Sequence, residues 1–309
     1  MPDQVVLVVG AFTPSVLLSV ARRTGRLAEQ DLQVEEVPVA SSPAQFRSLL
    51  AGEIDIALTS PDNVLAYRFD PGNPLQTLAD VRIVSTVDRG LGLALHGRPG
   101  LERDGLTTGS PVLGVDVPTS GFALAMYALL ESLGTRREDV ELVALGSTPR
   151  RLEALQDGRC DATMLNAGNE LLAEAAGCRA LATVADVCAP YIGTVVCVHG
   201  DGRLTSAQRL ARALRRAAVD ITEGTSAAVA AQEAATRLHL PADLAARHVD
   251  RLRNPTEGLI LEAEPDLVGL RTIVDLRRRY LPTEVDGADV LARALDVGSG
   301  LVAVDASAP

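Results

Sequence analysis

The chain contains no lysine and no tryptophan, and all 29 of its basic residues are arginine. Without lysine there can be no lysine Schiff base, no pyridoxal-phosphate anchor and no phosphate-loop lysine. Without tryptophan the best stacking platform for sugars and bases is missing, and aromatic residues make up only 3% of the chain. Cysteine is scarce as well. Cys160, Cys178, Cys188 and Cys197 crowd one stretch with no C-x-x-C pair, while His96, His199, His239 and His248 are scattered. Neither set has the spacing of a zinc site, so no metal and no cofactor are expected. Cys160 and Cys197 lie in apolar, strand-like runs, where a thiol acts as a small buried hydrophobe. No run approaches the roughly 18 apolar residues of a membrane helix. Positive charge is in deficit too: a net charge of −11 argues against a nucleic-acid or anionic-membrane surface, and favours a small ligand or another protein as partner.

What remains, 309 residues at 47% hydrophobic and 22% charged, is a folded chain long enough for two domains. Sliding the sequence by 106 positions lays residues 5–65 on residues 111–171 without a gap. Among the coincidences are Val9/Val115, Thr13/Thr119, Ser41/Ser147, Pro43/Pro149, Gly52/Gly158, Asp55/Asp161 and Asn63/Asn169. Each copy reads as a β-branched strand, a helix of about four turns, a second strand, a Ser-x-Pro helix start and a third strand after Gly-x-x-Asp. Alternating β and α with continuous apolar strands implies two similar α/β lobes built on parallel sheets. The N-terminus looks superficially like a signal peptide, yet it carries an Asp and no basic residue at its start, and its apolar run is the first strand of copy one. Two short apolar runs in "VRIVSTVDRGLGLALHG" would cross between lobes, and "APYIGTVVCVHGDG" would cross back. Residues from about Thr205 read as helices, and those after Val297, rich in Gly, Ser and Ala, as a frayed end. Lobe one is then 1–88 plus 198–309, and lobe two 89–197.

The stretches "SSPAQFRSLLAGEIDIALTSPDNVLAY", "GVDVPTSGFALAMYALLESLG" and "LEALQDGRCDATMLNAGNELL", in this two-lobed frame, resemble the aliphatic sulfonate, taurine and thiamine-pyrimidine-precursor binding proteins of the type II periplasmic-binding-protein fold. The resemblance covers most of the chain up to about Gly200. It implies an α/β, two-lobed fold, each lobe a βαβ-built mixed sheet with flanking helices, with the ligand in the cleft between lobes, at the carboxyl ends of the strands, where helix N-termini also converge.

Two helix starts look unserved. The helix beginning at Thr119-Ser120-Gly121 has no acid before Glu131, and its counterpart at Thr13-Pro14-Ser15 has none before Glu29. A helix N-terminus carries free N–H groups and partial positive charge, so two of them facing one cleft would favour a carboxylate, a sulfonate or a strongly polar edge. Other starts read as served locally, Ser42 by Gln45 at capping-box spacing. The expected ligand residues are Thr13, Ser41, Ser42, Thr59, Ser60, Thr119, Ser120, Gly121, Asn166 and Tyr191, with Phe12 as an apolar wall. Arg150 and Arg151 follow Pro149 and could reach an anion, although an arginine pair in a first helical turn is usually solvated. The resulting expectation is a monomeric receptor for a small organic anion or heterocycle, partnered by an ABC permease. It would be cytoplasmic as the chain stands, and a periplasmic or extracellular lipoprotein if a leader was trimmed. The alternative is a cytoplasmic lyase, decarboxylase or desulfinase-like enzyme on the same fold, with His96 as the histidine nearest the crossing, although a surface-loop role fits it better. The desulfinases need a cysteine near the start of helix one, where this chain has Thr13 and Ser15.

Overall fold

The computed structural model describes residues 4–285 and 288–303. The first repeat folds as β1 (Val5–Ala11), α1 (Val16–Arg23), β2 (Leu32–Pro38), α2 (Ser42–Ala51), β3 (Ile56–Thr59) and α3 (Pro61–Phe69). After β4 (Val81–Asp88) and β5 (Ala94–Gly97) the second repeat supplies β6 (Val112–Val115), α4 (Gly121–Ser132), β7 (Glu141–Ala144), α5 (Thr148–Gln156), β8 (Ala162–Leu165) and α6 (Asn169–Ala175). The chain then runs through β9 (Arg179–Thr183), α7 (Val184–Val187) and β10 (Thr194–His199). It finishes with α8 (Leu204–Thr222), α9 (Ala227–Arg237), α10 (Ala242–Arg253) and α11 (Leu267–Tyr280). The strands form two five-stranded sheets of matching layout, β2-β1-β3-β10-β4 and β7-β6-β8-β5-β9. In the first, α1 and α8 pack on one face and α2 and α3 on the other.

The repeat is real, but its strands are not in register with the gapless overlay. In copy one Val9 pairs with Ile56; in copy two Leu113, the overlay partner of Leu7, pairs with Ala162, the overlay partner of Ile56. The first strand is therefore displaced by two residues, which keeps each side chain on its own face because the pleat repeats every two. The apolar matches survive the slip for that reason. Asp55 and Asp161 do correspond: each accepts from an amide of its own lobe's first strand, Val8 at 2.8 Å and Val112 at 2.9 Å.

Neither sheet is wholly parallel. β5 runs antiparallel to β8 and β9, and β10 antiparallel to β3 and β4. Both are the strands by which the chain enters a lobe from the other one. A chain that leaves a sheet at its carboxyl edge and crosses directly arrives at the facing carboxyl edge, so its first strand must run away from it. β10 starts at Thr194, so residues 194–197, assigned from sequence to lobe two, belong to the sheet of lobe one. His96 is no surface residue: it sits in β5 at 1% exposure, its Nε2 3.7 Å from Glu174 Oε1. Nor is the chain end loose as far as Ala303, because Ile83 of β4 donates to Leu301 O and accepts from Ala303 N. The frayed-end expectation for residues 304–309 lies outside the described residues.

α11 joins the lobes, packing on both α3 and α4. Its Arg277 is 1% exposed and is held by two carboxylates of lobe one: it donates to both oxygens of Asp62 at 3.1 Å and to Asp70 Oδ2 at 2.6 Å. Burial raises the pKa of Asp62, and Arg277 opposes that rise. Gly121, first residue of α4, meets the first turn of α3 so closely that a Cβ there would lie 2.6 Å from Asp62 Cβ and 2.7 Å from Ser60 Oγ.

Arg277→Met should cost about 3–5 kcal/mol in denaturant unfolding at pH 7, because it strands two buried carboxylates. Adding Asp62→Asn should return part of that loss, and a strictly additive further loss would contradict the assignment. Gly121→Ala should hold the lobes apart, at an overpacking cost of about 1–3 kcal/mol in the closed form. X-ray scattering should show a larger radius of gyration than the parent, and an unchanged radius would contradict the close contact.

Candidate functional site

The carboxyl ends of β1, β3 and β4 face the start of α4 and α5 across a cleft of about 1060 Å³, open mouth included. Among the residues expected from sequence, it brings together Phe12, Thr13, Thr59, Ser60, Ser120, Gly121 and Asn166. Four others stand elsewhere. Thr119 is exposed and belongs to a neighbouring groove, because the turn closes one residue later and Ser120 is the N-cap. Ser41 is spent as the N-cap of α2, accepting from Ala44 N. Ser42 turns to the facing lobe and donates to Asp116 Oδ2 at 2.9 Å. Tyr191 is buried at 2% beneath the crossing and is not among the residues that line the cleft.

Neither of the two starts read as bare stays so: Ser120 caps α4 by accepting from Ala123 N, and Asp62 of α3 lies against Gly121. Ser15 caps α1, and its own N–H donates to Glu36 Oε1 at 2.6 Å, so β2 provides the acid that α1 lacks. Glu36 is in turn ion-paired with Arg237 of α9. Gln45 forms no capping box: its amide donates to Gly10 O at 3.0 Å and Leu58 O at 3.1 Å, tying β1 to β3. The unserved start is that of α5. It has no acid in its first turn, and its N-cap Ser147 makes no side-chain capping bond. This helix belongs to lobe two and opens on the cleft.

On α5 sits the residue that decides the electrostatics. Arg150 is exposed, whereas Arg151 is 2% exposed and lines the cleft. Its guanidinium donates to Gly146 O at 2.5 Å, Thr148 Oγ1 at 3.0 Å and Met164 O at 3.2 Å, all neutral, and its Nε finds no partner. Desolvation pulls its pKa down to about 10, with Asp116 and Cys160 acting weakly the other way. Asp116 at the end of β6 also lines the cleft, and while Ser42 holds its Oδ2, its Oδ1 is buried without a partner. The helical phase carried the signal for Arg151, since it shares a face with Ala154 and Leu155, both buried. An arginine on the apolar face of a helix is not a solvated one.

At the back of the cleft the two crossings run side by side. Gly193 N–H donates to Asp88 O at 2.9 Å, and a Cβ on Gly193 would fall 2.6 Å from Gly90 Cα. Burial raises the pKa of Asp88 to about 6, against hydrogen bonds from the Thr194 hydroxyl and the Gly90 amide. Asn166 of lobe two donates to Gly90 O at 3.0 Å. Glu170, just behind, accepts from Gly168 N at 2.8 Å and is pushed up to about 8 by desolvation. The four cysteines are buried and unpaired, and burial raises each thiol's pKa, to about 11 for Cys160 and Cys188. Among the described residues no cluster of three His, Cys, Asp or Glu side chains could hold a metal, and no helix is long and apolar enough to cross a membrane.

Neither a protein-family model nor a curated protein sequence matches this chain. Solved structures do. The ligand-binding component of an ABC-type import system from Staphylococcus aureus, with zinc bound, superposes with a TM-score of 0.72 over 89% of this chain and 92% of that one, at 16% identity. The periplasmic aliphatic sulphonate binding protein of Escherichia coli gives 0.64 over 93% and 91%, at 17% identity. A Candida albicans gene product described as having the generic periplasmic binding protein fold gives 0.69 over 97% and 96%, at 16% identity. With two similar lobes, two crossings and a cleft at the strand ends, this chain has the two-lobed α/β fold of the periplasmic binding proteins of ABC-type import systems.

Proposed function

We propose that the chain is a receptor that captures a small organic anion or heterocycle between its lobes and delivers it to an ABC permease. Arg151 carries this reading. A buried guanidinium whose hydrogen-bond partners are all neutral has given up its hydration for the through-space pull of Asp116 alone, and a bound sulfonate or carboxylate would supply a directly bonded counter-charge. The unserved N-terminus of α5, the helix that carries Arg151, adds partial positive charge at the same edge. Thr13, Thr59, Ser60, Ser120 and Asn166 line the same cleft, with Phe12 and Phe122 as apolar walls. The solved neighbours, an import ligand-binding component and an aliphatic sulphonate binder, are compatible with that chemistry. Asp116 narrows it further. An acceptor next to a donor suits a ligand edge bearing both kinds of group, as an aminopyrimidine does.

Native mass spectrometry with taurine, alkylsulfonates, aminopyrimidines and aromatic carboxylates tests the proposal, following bound mass and free pool over hours. The expected result is a ligand retained unchanged, and a free pool converted to a new mass would replace the receptor by an enzyme. Arg151→Met should weaken an anionic ligand by about 2–5 kcal/mol, at least about 30-fold, with the fold intact by circular dichroism. Because the protonated guanidinium is the binding form, affinity in calorimetry should be flat from pH 7 to 9. It should fall about tenfold per unit above a pH of about 10. An affinity insensitive to both changes would sink the assignment of Arg151.

A further inference from the structure

Past the Arg151 edge the cleft does not end at the interface between the lobes. Its wall continues through Leu17 of α1, Val87 of β4, Leu214 of α8, Leu252 of α10 and Leu259, all members of the apolar core of lobe one. Set among them is His248 of α10, which lines the same cavity at 2% exposure. Its Nδ1 is closed off against Gly168, 3.7 Å from where a Cβ there would stand, whereas its Nε2 is not closed off and has no hydrogen-bond partner among the described residues, so Nε2 is the ring atom left to a ligand. Desolvation lowers its pKa to about 4, so the ring is neutral at neutral pH. A neutral imidazole presents one donor and one acceptor, and buried polar groups of this kind are ordinarily satisfied.

Given the receptor reading, on which this inference rests, we infer that His248 is a second recognition point at the apolar end of the cleft. The ligand class is then an amphipathic acid: a sulfonate or carboxylate head at Arg151, an apolar middle, and a neutral hydrogen-bonding group such as a hydroxyl or amide at its other end. A plain alkyl chain fills the same apolar wall but leaves the imidazole unpaired, whereas a terminal hydroxyl pairs it. Discrimination by a hydrogen bond inside an apolar pocket exceeds that by one methylene. The head and the other end are read by different residues in different lobes, so each can be removed separately.

Calorimetry on the intact chain with a series of linear alkanesulfonates of increasing length and their ω-hydroxy counterparts tests it. At one chain length the ω-hydroxy compound should bind at least tenfold more tightly than the plain one. His248→Leu should erase that preference while leaving the plain alkanesulfonate within about threefold of its parent affinity, and His248→Gln should keep part of the preference. Arg151→Met should weaken both compounds alike. Equal affinities at every length, or a preference that survives His248→Leu in a variant with native circular dichroism, would overturn the inference and leave the receptor reading standing. Failure of both series to bind the parent chain would overturn the receptor reading and this inference with it.

Discussion

Both passages of the chain between the lobes go through one narrow place, and the rest of the structure is arranged around that constraint. Gly193 lies against Gly90 and Asp88 with no room for a side chain. Because the crossings sit at the carboxyl edges of both sheets, the entering strands β5 and β10 are the ones that run against their neighbours. The same placement points the loops after β1, β3, β6 and β8 at one another. The cleft is thus a geometric result of where the chain crosses, before any residue in it is chosen.

Two arginines with almost no exposure show how differently such a frame can treat a buried charge. Arg277 has two carboxylates within hydrogen-bonding distance and is structural. Arg151 has carbonyls and a hydroxyl, and a neighbouring carboxylate, Asp116, whose free oxygen it does not engage. Removing charge from water costs several kcal/mol unless a partner compensates. Each guanidinium leaves its Nε without a partner, but the charge is directly paired with carboxylates at the junction between the lobes and not in the cleft, and it is the unpaired case that looks toward a ligand.

The fold was legible from sequence because its signals are local and doubled. Matched Gly, Pro and Asp mark the same turns in both copies, and β-branched runs mark the strands. The two-residue slip in the first strand was invisible because apolar alternation looks the same after it. The site was legible in its hydroxyls, which follow strand ends, and less so in its charges. Glu36 reaches the start of α1 from another strand, and Gln45 spends its amide on β1 and β3 rather than on its own helix, so counting acids within a first turn misjudged the one and capping-box spacing the other. Arg151 could have been found from helical phase. His248 could not, because the cavity it lines exists only once α8 and α10 have folded back over α1.

The clamp on α11 also fixes how the molecule can move. Arg277 anchors this helix to Asp62 and Asp70 of lobe one by charge, while its contacts with lobe two are non-directional or exposed: Leu270, Ile273 and Val274 in one apolar core with α4, Tyr280 edge-on to Tyr127 at 5.8 Å, and an ion pair from Arg279 to Glu131 on the surface. Any parting of the lobes therefore carries α11 along with lobe one and makes it slide over α4. In mechanical terms α11 is a bearing, bolted to one body and greased by an aromatic pair against the other, and the travel it permits sets how wide the cleft can gape.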